Sequence, residues 1–422
     1  MTIRFTLIAV CLPVFLLLGC KEKESPHCQP APGPPMVGRW QAHLKADGRQ
    51  VDFEFSITGK ASDRRAFLHN GSEKIEIPLI KETRTEIRLE FPHYDSRIEA
   101  LFGSGPHCTF LLGTWTKSRG NGHSQQMEFV ANLIEEPQQL SVLPSNAPKL
   151  SGRWRVRFSS SEEDAVAILE TKPGRGIEGT FLTTTGDYRY LSGSRDATGS
   201  AFTLSCFDGA HAFVFRARLT ERGIIEGDFW SGATWHETFR AERDDKAKLN
   251  DGFQRTRWND QVPLASLSFP DLKGKIRSLN DKAFQGRARI IQIFGTWCPN
   301  CHDAAQFLAE LQRDYGEKGL SILGLAFEHD MVFERSVRQV EHYQKRNGCS
   351  YPVLIAGTSN KKAATAAFRG LDFIRSFPTT IFLHADGRIR AIYSGFDGPA
   401  TGQAHQTLKQ SYRTIIEDLL AN

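Results

Sequence analysis

The chain has 422 residues, too many for one ordinary domain, and a prior of roughly 150 residues per domain points to two or three units. With 40% hydrophobic and 24% charged residues it has the balance of a folded globular protein, which excludes a disordered chain and a polytopic membrane protein. A formal charge of +5, from 53 basic against 48 acidic residues, falls far short of the concentrated basic surface that nucleic acid demands, so no nucleic-acid partner is expected.

At the N-terminus Arg4 precedes an apolar run from Phe5 to Leu18 that is too short to span a bilayer comfortably. Leu17-Leu18-Gly19-Cys20 follows, with charge beginning at Lys21. This resembles the lipobox of a bacterial lipoprotein. The resemblance implies a signal peptide over residues 1–19 and acylation of Cys20 with several chains, which anchor stably where one would not. A secretory signal cut elsewhere and an uncleaved short anchor are the alternatives. Lys21, in place of the aspartate that often marks retention at the inner membrane, points to the outer one, so the protein is expected lipid-anchored on the periplasmic side of a bacterial membrane. Residues 20–35 carry Pro26, Pro30, Pro32, Pro34 and Pro35 and read as a semi-extended tether. In such a compartment disulfides are allowed, yet spacing does not pair Cys28, Cys108, Cys206 and Cys349, and burial as small apolar residues is an equal alternative.

From Met36 to Asp245 helical periodicity is almost absent, and alternating runs such as Val51-Asp52-Phe53-Glu54-Phe55 are separated by Gly, Asn and Asp, the pattern of an all-β region. A weak repeat divides it: Gly38-Arg39-Trp40 recurs as Gly152-Arg153-Trp154, and Gly113-Thr114-Trp115 is matched by Gly227-Asp228-Phe229. Glu128-Phe129-Val130-Ala131 and Thr238-Phe239-Arg240-Ala241 close the two units alike. Two β-meanders or small barrels are therefore expected over residues 36–140 and 150–245, with one larger sandwich built from both as the alternative. In the second unit, Gly179 to Tyr190 and Phe207 to Phe213 are dense in aromatic and polar groups. They read as core aromatics with a hairpin turn at Asp208-Gly209, or as a ligand or partner surface.

Asp244 to Asn250 is a charged, aperiodic linker, and beyond it strands and helices alternate. Ala288 to Phe294 reads as a buried strand, Asp303 to Tyr315 as a helix, Gly319 as its C-cap position and Leu320 to Phe327 as a second buried strand. Helices near Val332–Lys345, Lys361–Phe368 and Gln403–Leu420 and strands at Pro352–Ile355, Thr380–Leu383 and Ile389–Tyr393 complete an α/β domain over residues 258–422. Its central sheet is expected to be covered on both faces.

The chemistry concentrates at Trp297-Cys298-Pro299-Asn300-Cys301, where a buried strand meets a helix. Cys298 is placed at the first helical turn, where unpaired N–H groups and the positive end of the macrodipole favour a thiolate, so its pKa is expected below the reference of about 8.5. Two intervening residues put Cys301 one turn along, buried beneath Cys298, as the thiol that resolves a mixed disulfide. Pro299 suits a position whose N–H would lack a partner anyway. A lone Cys-x-x-Cys pair lacks two further ligands for tetrahedral zinc, and His302 is expected to point away along the helix. Neither metal nor cofactor is expected beyond the redox-active Cys298–Cys301 pair.

Together with Phe294-Gly295-Thr296 ahead of the motif and Phe377-Pro378-Thr379-Thr380 before a strand and the Asp386-Gly387 turn, these residues resemble the TlpA/ResA-like branch of the thioredoxin superfamily, from about Leu264 to the C-terminus. The resemblance implies a thioredoxin-like fold, a cis Pro378 facing the dithiol, and substrate contacts at Trp297, Phe377 and Thr379. It also implies disulfide-bearing exported proteins as substrates and a membrane thiol donor as electron source. Two departures stand out. Thioredoxins carry a buried aspartate six residues before the first cysteine, where this chain has Gln292, and ResA-like proteins carry a glutamate three residues after the second, where it has Ala304. The proton of Cys301 is then expected to pass to water, Asp303 or Glu328, and Glu328 is the candidate acceptor. The function expected is a thiol-disulfide oxidoreductase acting as reductant; the alternative is a partner- or glycan-binding lipoprotein with a secondary thioredoxin-like domain.

Overall fold

The computed structural model describes residues 37–105, 108–134 and 142–421. The signal peptide, Cys20, the proline-rich tether and Cys28 lie outside the described residues.

Two separate nine-stranded antiparallel sheets make up the β region, which settles the choice between two units and one shared sandwich. In the first unit the strands follow chain order from Gly38–Ala46 to His123–Ile134, and these two pair with each other. The seam stays open only between Glu73–Ile77 and Leu79–Glu82. In the second unit Gly152–Phe158 pairs with both Asp164–Thr171 and Trp235–Arg243, and every later neighbour is paired as well, so the sheet closes into a barrel. Closure removes exposed edges.

The sequence repeat has a structural counterpart. Leu44 lies opposite Phe129 in the first unit, and Phe158 opposite Phe239 in the second, each at the pairing of first and last strands. Trp40 and Trp154 both fill their unit's core. Gly113 and Gly227 are needed for close strand approach, since a Cβ would meet the carbonyl oxygen of Glu99 at 1.9 Å and that of Arg216 at 2.5 Å.

The aromatic segment at Phe207 turns out to join the units. Its hairpin leaves the barrel, and Phe207, Ala210, Ala212 and Val214 enter the core of the first unit, where Phe207 packs 4.6 Å from Phe53 and edge-on to Trp115 at 5.4 Å. Asn70 exchanges two hydrogen bonds with the Phe207 backbone, at 3.1 and 3.2 Å. The Asp208-Gly209 turn is a hairpin turn as expected, but the surface it serves is the neighbouring unit.

The C-terminal domain is a five-stranded sheet of β1 (Ala288–Phe294), β2 (Leu320–Glu328), β3 (Val353–Thr358), β4 (Thr379–His384) and β5 (Ile389–Ser394) in the order β3-β2-β1-β4-β5. The first three run parallel, and β4 and β5 are antiparallel. All seven residues of β1 are buried, which requires cover on both faces. That cover comes from α1 (Pro299–Tyr315), α2 (Phe333–Asn347), α3 (Lys361–Ala367) and α4 (Gln403–Ala421). Helix α1 starts four residues before its apolar periodicity, because the dithiol motif forms its first turn. It ends at Tyr315, with Gly316 as C-cap; Gly319, read as the cap, instead turns the chain at φ +108°.

Candidate active site

Strand β1 runs into the motif and α1 leaves it. Cys298 is the N-cap of α1, Pro299 occupies its first position, and the backbone N–H groups of Cys301 and His302 donate to the Cys298 carbonyl at 3.0 and 3.3 Å. The Cys298 side chain therefore sits at the positive end of the helix. Both cysteines are free thiols. Cys298 is 8% exposed and Cys301 fully buried. Burial, with the Cys298 sulfur next to it, pushes the Cys301 thiol well above its ordinary range. Of the two, Cys298 alone keeps some exposure to solvent.

Opposite the dithiol, the Phe377–Pro378 peptide is cis, and the Cys298 thiol donates to the Phe377 carbonyl at 3.3 Å. Trp297 is half-buried: its indole N–H donates to the Phe327 carbonyl at 2.9 Å, its ring stacks on His329 at 5.0 Å and meets Phe377 edge-on. Thr379 is fully buried, with its hydroxyl donating to the Ser376 carbonyl at 2.8 Å, so its side chain braces the loop. Cys298, Cys301, Trp297, Phe377 and Pro378 are thus gathered at one place.

Glu328, at the end of β2, is buried rather than solvated. Its two carboxylate oxygens accept from the Thr296 N–H at 3.0 Å and the Thr296 hydroxyl at 2.6 Å. Burial pushes it up to about 7, although both Thr296 bonds pull the other way. Its charge is felt by the Cys301 thiol. It also lines a narrow cavity of about 20 Å³, room for one water, together with His93, Tyr94, Thr296, Trp297 and Arg335. Gln292 is buried, with its Oε1 accepting from the Thr380 hydroxyl at 2.7 Å.

His302 does not point away along the helix. It is buried with one ring nitrogen 2.8 Å from the Thr296 carbonyl and the other 2.8 Å from the Asn347 amide, while Tyr94 of the first β unit meets it edge-on. The Asn347 N–H₂ can only donate, so Nδ1 accepts and Nε2 carries the proton. Burial lowers its pKa to about 4 and keeps it neutral. Asp303 is committed elsewhere: it forms an ion pair with Arg189 of the barrel, and burial pushes its carboxyl up to about 6 even with that partner.

Arg189 was not legible as a site residue. Buried, and held at φ +64°, it pairs with Asp303 of α1, with Glu73 of the first unit at 2.7 Å and with Asp208 at 3.8 Å. One guanidinium therefore ties all three domains at the first turn of the dithiol helix. On the other side of the site Arg335 of α2 bonds Asp95 and Ser118 of the first unit.

Fold and site together define a thioredoxin-fold dithiol domain of the thiol-disulfide oxidoreductase class. Residues 258–408 match the Redoxin family model, and this C-terminal domain is similar to TlpA/ResA-like thiol-disulfide oxidoreductases. The domain is similar to the thioredoxin-like protein YneN of Bacillus subtilis, at 29% identity over 135 residues, 32% of this chain and 70% of that protein. It is also similar to the thiol-disulfide oxidoreductase ResA of Halalkalibacterium halodurans, at 28% identity over 30% of this chain and 62% of that protein. Among solved structures, a thiol:disulfide interchange protein of the thioredoxin family from Chlorobium tepidum aligns at 24% identity, covering 38% of this chain and 99% of that one, with a TM-score of 0.27.

Proposed function

We propose that this chain is a lipid-anchored, extracytoplasmic thiol-disulfide oxidoreductase that reduces disulfides of exported proteins through Cys298 and Cys301. The observation that carries this reading is the Cys298 thiol at the N-terminus of α1, 3.3 Å from the Phe377 carbonyl beside the cis Pro378, with Cys301 buried beneath. Trp297 and Phe377 flank the point where a substrate sulfur would meet Cys298.

The steps balance. The Cys298 thiolate attacks one sulfur of the substrate disulfide, a mixed disulfide forms and one substrate thiolate leaves. Cys301 loses its proton, with Glu328 as the acceptor, and attacks the Cys298 sulfur; the second substrate thiol leaves, and the pair ends as a disulfide. Two electrons have passed to the substrate. A membrane thiol donor restores the dithiol, and acyl chains on Cys20 keep the protein on the periplasmic side of the outer membrane.

Trapping tests the reading. Cys301→Ser cannot resolve the mixed disulfide, so in cells it should accumulate slow-migrating, reductant-sensitive species on a non-reducing gel. These should be absent from the Cys298→Ser/Cys301→Ser double variant, which keeps the other cysteines. If both variants trap the same species, the dithiol does not exchange with proteins.

A further inference from the structure

Helix α1 begins with the dithiol motif, and side chains on a helix lean back toward its N-terminus. His302, directly after Cys301, leans back far enough for its Nε2–H to donate to the Thr296 carbonyl at 2.8 Å. Thr296 and His302 are the two residues that bracket Trp297-Cys298-Pro299-Asn300-Cys301. One side-chain hydrogen bond therefore closes a ring around the dithiol. Inside that ring the Cys301 N–H donates to the Cys298 carbonyl at 3.0 Å, and the Cys301 carbonyl accepts from the Tyr343 hydroxyl at 2.7 Å.

The clasp is supported at both ends. Thr296 is fixed by its N–H and hydroxyl bonds to Glu328. At the other end the Asn347 amide of α2 donates to the His302 Nδ1 at 2.8 Å, which sets the tautomer that donates to Thr296, and Tyr343 meets the ring edge-on at 4.5 Å. The remaining support comes from the first β unit. Its turn Pro92–Tyr94 joins the strands Glu86–Phe91 and Ser96–Gly105, and the buried rings of His93 and Tyr94 both pack edge-on to His302, at 5.1 and 4.8 Å. Arg335 of α2 bonds Asp95 and Ser118 and locks this turn to the C-terminal domain. Burial lowers His302 to about 4, the cations of Arg346 and Arg189 act in the same direction, and burial keeps His93 neutral as well.

Tying the ends of the motif limits how far Cys298 and Cys301 can separate. A disulfide requires both sulfurs in one narrow geometry, whereas two open thiols do not, so loosening the ends costs the closed pair more than the open one. We propose that His302 is a positioning residue of the dithiol: pinned by Asn347 and by the Pro92–Tyr94 turn of the first β unit, it clasps the two ends of the motif and so favours closure of the Cys298–Cys301 disulfide. The inference rests on the reading of this pair as redox-active. Closure passes two electrons and two protons to a partner disulfide, which leaves as two thiols, so a pair that closes more readily is the stronger reductant. The first β unit then takes part in the chemistry, because residues of another domain hold the clasp.

The test equilibrates the full chain with mixtures of reduced and oxidised glutathione, and reads the open and closed fractions of the pair by alkylation and peptide mass spectrometry. His302→Phe keeps an aromatic ring against Tyr94 and Tyr343 but removes both ring nitrogens. Its equilibrium constant for closure should fall about tenfold, a rise of about 30 mV in potential. His302→Gln, whose amide can donate to the Thr296 carbonyl, should restore most of that loss. Tyr94→Leu removes one ring from the clasp and should lower the constant about threefold. An unchanged constant in a His302→Phe protein with a native near-ultraviolet circular dichroism spectrum overturns the proposal, and an unchanged constant in Tyr94→Leu overturns the part given to the first β unit. Should His302→Phe not fold, nitrogen resonances of the unsubstituted protein decide: the His302 ring should stay in its neutral Nε2–H form from pH 5 to pH 8, with the pair open or closed. A ring that titrates near the ordinary 6.5 is not closed on Thr296 and overturns the proposal. Neither measurement needs a protein substrate, so a chain that shows the His302 effect yet traps no substrate would sink the proposed function and leave this inference standing.

Discussion

Asn300, between Pro299 and Cys301, donates its side-chain amide to the backbone carbonyl of Asp187 at 3.3 Å, so a turn of the second barrel touches the dithiol motif itself. Two residues on, Arg189 of the same turn pairs with Asp303, two residues past Cys301. The first turn of α1 is thus held from outside its own domain, by groups buried from water where pairing is strong and an unpaired charge is costly.

Arg189→Gln should therefore lower stability by about 3–5 kcal/mol, because it leaves Glu73, Asp208 and Asp303 buried together without their cation. The loss should depend on pH. Burial pushes Asp187 and Asp303 up to about 6, above the ordinary value of 3.8, so the folded state keeps extra protons between about pH 4 and 6, and the stability these contribute is lost as pH rises through 6. Without Arg189 the carboxyls compete harder for protons. Urea denaturation should show a greater loss at pH 8 than at pH 5, and equal losses would mean the cluster is not held by charge.

Glu328 makes a second pH-dependent case. Burial pushes it up to about 7 from an ordinary 4.5, so it holds a proton below neutral pH and accepts one from Cys301 only above. In the unsubstituted protein, release of thionitrobenzoate from its mixed disulfide with Cys298 should quicken as pH rises through 7. Glu328→Gln should remove that rise and slow release by about 10²-fold. The stability sign runs the other way: the folded state carries the extra proton between about pH 4.5 and 7, so Glu328 lowers stability as pH rises through that window, and Glu328→Gln should flatten the slope. A release rate indifferent to Glu328→Gln would assign the proton to water.

What the sequence disclosed follows from how local each signal is. The dithiol was readable because a Cys-x-x-Cys pair at a strand-to-helix junction needs only neighbouring residues, and β1 was readable because seven buried residues leave an apolar run. Arg189 reaches the same site from a loop more than a hundred residues away, and nothing in a chain says which face of a barrel meets a later helix. His302 was misread because helical periodicity puts it beside Cys301 without showing that Tyr94 and Asn347 close over it. The Phe207 hairpin was read correctly as a turn, but which core received its aromatic ring was a long-range fact.

The anchor is tested by Cys20→Ser. If acyl chains on Cys20 hold the protein to the membrane, the variant should leave the membrane fraction or stay unprocessed, as seen by fractionation and N-terminal mass. Unchanged partition would remove the lipoprotein reading while leaving the dithiol chemistry untouched.

Labelling of the unsubstituted, reduced protein separates the roles of the thiols. An alkylating reagent needs both access and thiolate, and the four free cysteines among the described residues differ in each. Cys206 and Cys301 are fully buried, and burial pushes both thiols well above the ordinary range. Cys349 is more open, yet burial still pushes it up to about 11, so on the order of 10⁻⁴ of it is thiolate at pH 7. Among the described cysteines only Cys298 is the N-cap of a helix while keeping some exposure. Peptide mapping after brief exposure to iodoacetamide below neutral pH should find Cys298 labelled at least about tenfold ahead of the other three. Faster labelling of Cys349 would mean that access outweighs thiolate content in this fold. Faster labelling of Cys301 would reverse attacking and resolving thiols, and with them the placement of substrate against Phe377 and Pro378.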